Sequence, residues 1–196
     1  MVSNRKIEIV AHRGANTIAP ENTISAIIDC MNSGIDYIEL DVRSSKDGIL
    51  YNFHDSHLER TTNGRGLFAE SNSNILNKLD AGSFFSPKFT GEIIPRIEDI
   101  LSLINGKMKV IFDFKNGNID TLLQLISTYS FDKDCFFWSY DIQKILEFKE
   151  KAPHLPLKMN TGRIEDLDQI KHRYNPQIIE INPNILTARI VDTCHK

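Results

Sequence analysis

Tyr37-Ile38-Glu39-Leu40-Asp41-Val42 sets the architecture. In an extended chain successive side chains point to opposite faces. Ile38, Leu40 and Val42 therefore share an apolar face, and Glu39 and Asp41 share the other. Lys109-Val110-Ile111-Phe112-Asp113-Phe114 repeats the arrangement, with Phe112 and Phe114 on one face and Asp113 and Lys115 on the other. Before the first strand, residues 23–33 carry Ile24, Ile27, Ile28 and Met31 at helical spacing, and Gly34 ends the run. Further extended segments are expected at 7–11, 49–53, 135–139, 155–159 and 178–181. Helices are expected at 97–104, 119–129, 141–151 and 164–173, and one begins at 185–195.

Alternation of strands and helices implies parallel strands with helical crossovers. Seven extended segments and no GxGxxG predict an α/β fold of the TIM-type (β/α) barrel class rather than a doubly wound sheet. Residues 55–91 break the alternation. They are rich in Asn, Gly and Ser and read as a loop or insertion over one end of the barrel. With no internal repeat or linker, residues 1–196 read as one domain. A complete barrel of this type takes about 250 residues. The 196 residues are expected to stop in the seventh helix, before the last strand-helix unit.

Composition narrows the function classes. Hydrophobic content of 41% and charged content of 25% fit a globular chain with a full core. A net charge of −3 excludes a surface that coats nucleic acid. No apolar run reaches transmembrane length. The polar start at residues 1–6 contains no apolar targeting region, so a cytoplasmic chain is expected. Cys30, Cys135 and Cys194 are far apart and odd in number. They suggest neither a disulfide framework nor a metal site and read as small core residues.

Chemistry gathers at strand ends. Two close carboxylates, Glu39 and Asp41, suit a hard divalent cation, or else pair with Arg or Lys inside the barrel. Asp113 offers a third carboxylate. Lys115 is placed to meet a phosphate oxygen or to form a structural ion pair. His12 ends the first extended run and His54 the third, and strand C-termini converge where barrel enzymes place catalytic groups. Histidine titrates near neutrality, so one of the pair can take a proton while the other gives one. Arg13 offers a planar fork to phosphate oxygens. Trp138, Ser139 and Tyr140 are expected to line a pocket or to pack the barrel. His57 falls near the mouth, and His154, His172 and His195 at the surface.

These residues resemble the motifs of the glycerophosphodiester phosphodiesterase family over essentially the whole chain. His12-Arg13-Gly14 with Pro20-Glu21-Asn22-Thr23 is similar to the family's opening motif, and residues 37–42 to its next strand. Lys46-Asp47-Gly48, Phe53-His54-Asp55 and Leu58-Glu59-Arg60-Thr61-Thr62-Asn63-Gly64 follow in family order. So do Ile94-Pro95-Arg96-Ile97-Glu98-Asp99 and Ser139-Tyr140-Asp141. The resemblance implies His12 and His54 as the acid/base pair and Arg13 and Lys115 as phosphate contacts. It implies Glu39, Asp41 and Asp113 as ligands of Mg²⁺ or Ca²⁺, with Asp113 standing where the family usually has Glu. The shorter Asp implies a shifted metal or a bridging water. Glu21, Asn22 and Thr23 are expected to shape the first loop and start its helix. The implied activity is metal-dependent hydrolysis of a small-molecule glycerophosphodiester to sn-glycerol 3-phosphate and an alcohol. Two alternatives stay open. One is a catalytically impaired, phosphodiester-binding remnant. The other is a lipid-directed relative using Phe84, Phe85 and Phe89.

Overall fold

The computed structural model describes residues 7–194. The polar start at residues 1–6, and His195 at the end of the expected 185–195 helix, lie outside them. The strands are β1 (Val10–His12), β2 (Tyr37–Ser44), β3 (Leu50–Asn52), β4 (Lys109–Phe114), β5 (Cys135–Trp138), β6 (Lys158–Thr161) and β7 (Ile178–Ile181). The helices are α1 (Ile24–Asn32), α2 (Ser73–Leu76), α3 (Ile97–Ile104), α4 (Ile119–Thr128), α5 (Ile142–Lys151), α6 (Leu167–Tyr174) and α7 (Ala188–Cys194).

β1, β2, β4 and β5 pair in that order, all parallel. β6 and β7 form a second parallel pair. A Phe137–Leu157 bridge and the Phe137 N–H to Pro156 O bond (3.0 Å) join the two. The wall thus runs β1-β2-β4-β5-β6-β7 with helical crossovers, which is the α/β, TIM-type barrel fold. The apolar faces of β2 and β4, with Ile38, Leu40, Val110, Phe112 and Phe114 fully buried, pack against α1, α3 and α4 through Ile27, Ile100, Leu101 and Leu122. Side-chain caps start several helices: Thr23 for α1, Asn118 for α4 and Asp141 for α5. Cys30 and Cys135 are buried in this core and Cys194 is half-buried, all three as free thiols.

Several expectations need correction, among them the first strand, which begins at Val10 rather than residue 7, and the last helix, which begins at Ala188 rather than residue 185. The segment read as a parallel third strand, β3, is antiparallel to β2, with Val42 opposite Asn52 and Ser44 opposite Leu50. Residues 45–49 between them are too few for a helical crossover. They form a hairpin instead, with Gly48 at φ 88° and Gly48 N–H bonded to Ser45 O (3.1 Å). The extended segment expected at 155–159 starts later, at Lys158. The helix expected at 164–173 opens as a 3₁₀ turn (Ile164–Asp166) and becomes α-helical only from Leu167.

Residues 55–91 contain α2, two 3₁₀ turns (Phe68–Glu70 and Pro87–Phe89) and a second apolar cluster. Tyr51, Phe53, Leu58, Phe68, Leu76, Ala81 and Ile94 build it, with the Phe53 and Phe68 rings stacked at 4.8 Å. No helix among the described residues is long and apolar enough to cross a membrane.

Gly14 fixes the first turn out of the barrel. Its φ is +82°, and a Cβ there would lie 2.8 Å from Cβ of the fully buried Ala26 on α1. Gly14→Ala therefore combines left-handed strain with overpacking against a helix that has no flexible end to move. The expected loss is about 2–5 kcal/mol, read from the midpoint of urea unfolding. An unchanged midpoint would show that the loop relaxes away from α1.

Candidate active site

The β1-β2-β4-β5 register sets the spacing of the acidic groups. His12 lies opposite Glu39, Asp41 opposite Asp113, and Asp113 opposite Trp138. Because period two turns Glu39, Asp41 and Asp113 inward, each offers a carboxylate oxygen, and these oxygens lie within 4.8 Å of one another. All three residues are buried, Asp41 completely. The shorter Asp113 thus already reaches the other two carboxylates.

The first βα turn wraps this cluster. Arg13 has a left-handed backbone, φ 59°, and its N–H donates to Glu39 Oε2 (3.0 Å). Its guanidinium lies between Glu21 Oε1, bonded by Nη1 at 3.0 Å, and Asp41 Oδ2, 3.5 Å from Nε. Asn22, also left-handed at φ 61°, donates Nδ2–H to Asp41 Oδ2 (2.8 Å). Asn52 Oδ1 accepts the Asp41 N–H (2.9 Å). Strained backbone is retained only where surrounding contacts over-determine it, and here those contacts end on the acidic cluster.

Lys115 supplies the local positive charge. Its ammonium donates to Asp113 Oδ2 (2.5 Å) and sits 3.0 Å from Asp41 Oδ1. The ion pair that sequence reading offered as an alternative for Lys115 is therefore present. The same ammonium faces a cavity of about 440 Å³, lined also by Arg43, His54, Asp55, His57 and Tyr140. His12 lines a neighbouring cavity of about 360 Å³ with Glu39, Asp113, Trp138, Tyr140 and Lys158. The two histidines thus face adjoining cavities that share Tyr140. His54 arrives by the β3 hairpin, not at the C-terminal end of a parallel strand. Arg43 Nη2 donates to its carbonyl (2.6 Å), and its Nδ1 lies 2.6 Å from Asp55 Oδ1. A carboxylate only accepts, so Nδ1 carries the hydrogen and Nε2 is the unprotonated nitrogen of the neutral ring.

Sequence reading gave no role to Arg43, Asn52, Asp55 or Arg60. Arg43 was within reach, since it continues the inward face of Glu39 and Asp41. The others act through long-range pairs that no local period reveals. Glu21, expected to favour a helix N-terminus, instead accepts from Arg13 and Arg60. Ser139 is structural: its Oγ donates to Phe114 O (2.7 Å). Trp138 lines the His12 cavity, while Tyr140 is 80% exposed.

The donor set fits a divalent cation. Asp113 Oδ1 is buried without a hydrogen-bond partner, and Asp41 Oδ1 has only the off-axis Lys115 ammonium. Burial, then the charge of Asp41, pushes Glu39 up to about 8 against the opposing Arg13 N–H. Burial also raises Asp113. A cluster short of positive charge is what a hard cation relieves. The sign of the pH effect follows. The folded chain holds a Glu39 proton that the unfolded chain releases at ordinary carboxylate pH. The contribution of Glu39 to metal-free stability is therefore full below pH 4.5 and is lost as pH rises toward 8. Thermal melts in EDTA across this window should show the fall, and Glu39→Gln should flatten it. An equal slope in the variant would reject Glu39 as its source.

Fold and site together define an α/β-barrel protein with an acidic, metal-competent cluster near two histidines, His12 at the end of β1 and His54 just past the β3 hairpin. The glycerophosphoryl diester phosphodiesterase family model matches residues 12–178, and the chain belongs to that family. It is 37% identical over 159 residues to the glycerophosphodiester phosphodiesterase of Caldanaerobacter subterraneus, covering 78% of this chain and 65% of that protein. The chain thus spans just under two thirds of that relative. The crystal structure of glycerophosphodiester phosphodiesterase from Agrobacterium tumefaciens superposes with a TM-score of 0.92 at 34% identity, over 97% of this chain and 83% of that one. An Oleispira antarctica phosphodiesterase, solved with the product sn-glycerol-3-phosphate, gives 0.87 at 26% identity, over 96% and 80%.

Proposed function

We propose that this chain, as a single barrel domain with residues 55–91 as its insertion, hydrolyses glycerophosphodiesters to sn-glycerol 3-phosphate and an alcohol. The observation that carries the reading is the carboxylate triad, with oxygens within 4.8 Å: Glu39 and Asp113 line the His12 cavity, and Lys115, paired with Asp113 and Asp41, lines the adjoining His54 cavity. Glu39, Asp41 and Asp113 would hold the divalent cation, Mg²⁺ or Ca²⁺. Such an ion, when bound, supplies Lewis-acid polarisation of a phosphoryl oxygen and lowers the pKa of a coordinated hydroxyl.

The chain's own residues do the rest. Arg13 and Lys115 neutralise the phosphodiester and the charge that grows on its oxygens. One histidine takes the proton of the attacking oxygen, from water or the substrate's own glycerol hydroxyl. The other gives a proton to the departing alkoxide as its P–O bond breaks. His54, with Nδ1–H held by Asp55, handles protons at Nε2. His12 is held below its ordinary value of 6.5, by partial desolvation first and then by the charge of Arg13, which favours its neutral form. Binding of sn-glycerol-3-phosphate by the Oleispira relative supports a small-molecule substrate of this class.

The test is release of sn-glycerol 3-phosphate from glycerophosphoglycerol by the purified chain after EDTA treatment, then with Mg²⁺ or Ca²⁺ restored. Release that returns with metal is expected. No release with either ion would overturn the proposal.

A further inference from the structure

Arg60 lies in the loop after His54, outside every role assigned so far. The loop is anchored: Leu58, Thr61 and Thr62 are buried, Thr62 Oγ1 donates to Leu58 O (2.6 Å) and accepts from Gly64 N–H (3.0 Å). From this base the Arg60 guanidinium reaches two carboxylates at once. Nε and Nη2 donate to Asp55 Oδ2 and Oδ1 at 2.6 and 3.0 Å. Nη1 and Nη2 donate to Glu21 Oε2 and Oε1 at 2.8 and 2.7 Å. The remaining contacts of those carboxylates identify what is being held. Glu21 Oε1 accepts from Arg13 Nη1 (3.0 Å), and Asp55 Oδ1 lies 2.6 Å from His54 Nδ1.

We infer that Arg60 is a positioning residue that locks the phosphate-contacting Arg13 and the proton-handling His54 into one geometry, through Glu21 on one side and Asp55 on the other. This rests on the hydrolase reading above.

The physical case has three parts. First, Arg13 and His54 come from different parts of the chain, the turn after β1 and the hairpin after β3. Strand β2 holds both backbones, through Glu39 to the Arg13 N–H and through Arg43 to the His54 carbonyl, but it does not aim the guanidinium and the imidazole relative to each other. A planar guanidinium with two bidentate forks, side-on to Asp55 and end-on to Glu21, does so, because each fork sets an orientation as well as a distance. Second, the charges close. Arg13 and Arg60 balance Glu21 and Asp55, so the cluster offers a phosphodiester no net repulsion. Loss of Arg60 leaves an uncompensated negative charge beside the substrate phosphate. Third, the clamp is half open to water, with Arg60's side chain 46% exposed. Removing it disturbs little packing, so its loss should appear in function before stability.

The clamp predicts a divided kinetic pattern. Glu21→Gln frees Arg13 and should raise KM. Asp55→Asn frees His54 and should lower kcat. Arg60→Met should do both, lowering kcat/KM about 10–100-fold, the scale of a misplacement of about 1 Å. Arg60→Lys should recover little, because an ammonium cannot fork two carboxylates. Adding Glu21→Gln or Asp55→Asn to Arg60→Met should cost less than the same change in the wild type. The exposed neighbour Arg65, replaced by Met, serves as the control with unchanged kinetics.

A readout independent of turnover is the proton resonance of His54 Nδ1–H in isotope-labelled protein. It should be sharp in the wild type and in Arg65→Met, and broadened or lost in Arg60→Met and Arg60→Lys. If the wild type releases no sn-glycerol 3-phosphate, the hydrolase reading fails, and the resonance alone decides the clamp. Wild-type kcat/KM in Arg60→Met, fully additive doubles, or an unchanged His54 resonance would each overturn the positioning role.

Discussion

His12→Ala is expected to lower kcat/KM by about 10²–10⁴-fold, the usual contribution of a positioned acid or base, with little change in melting temperature. The asymmetry follows from placement. His12 ends β1 with an exposed side chain, so its removal leaves no cavity. Its carbonyl, which accepts Asn16 Nδ2–H (2.9 Å), survives the substitution. Its ring opens on the cavity that also holds Glu39 and Asp113. The measurement is steady-state release of sn-glycerol 3-phosphate with saturating Mg²⁺ or Ca²⁺. Equal rates in wild type and variant would remove His12 from the chemistry.

Asp41→Ala is expected to abolish the rise in melting temperature on adding Mg²⁺ or Ca²⁺, and to cost about 1–3 kcal/mol without metal. Asp41 is fully buried and faces Asn22, Lys115 and Arg13. Lys115 keeps Asp113 and Arg13 keeps Glu21, so neither cation is stranded by the change. Asn22 Nδ2–H loses its acceptor, and that sets the cost. Relief of Glu39, which the Asp41 charge pushes upward, offsets part of it. The metal effect has no such compensation. Ligand that binds only the folded chain stabilises it by about 2.7 kcal/mol at a hundredfold excess over Kd, and the triad loses its central member. Melts with and without each ion decide the matter. A metal-induced rise retained in Asp41→Ala would place the ion elsewhere.

The barrel wall was readable because its signal is local. The period-two alternation of residues 37–42 and 109–114 already separates core from interior, and it named the three clustered acids before any coordinate. The glycine of His12-Arg13-Gly14 likewise has a local physical cause in its positive φ. The course of residues 49–53 was not readable from alternation alone. An extended segment looks the same in either direction, and the length of the preceding link was the decisive clue. The supports of the site were the least visible. Asn22 on Asp41, Asn52 on the Asp41 amide and Arg60 on Glu21 and Asp55 join segments far apart in the chain. No periodicity encodes such meetings; only the fold brings them together.

The apolar cluster beneath residues 55–91 has a bearing on how this protein tolerates change. Tyr51 and Phe53, on and just past β3, are packed into it with Phe68 and Leu76, and His54 follows directly in the chain. Variation in the insertion is therefore transmitted through packing alone to His54, the histidine proposed for proton transfer. Mutational libraries meant to reshape alcohol preference should leave Phe68 and Leu76 fixed and vary the exposed positions around them.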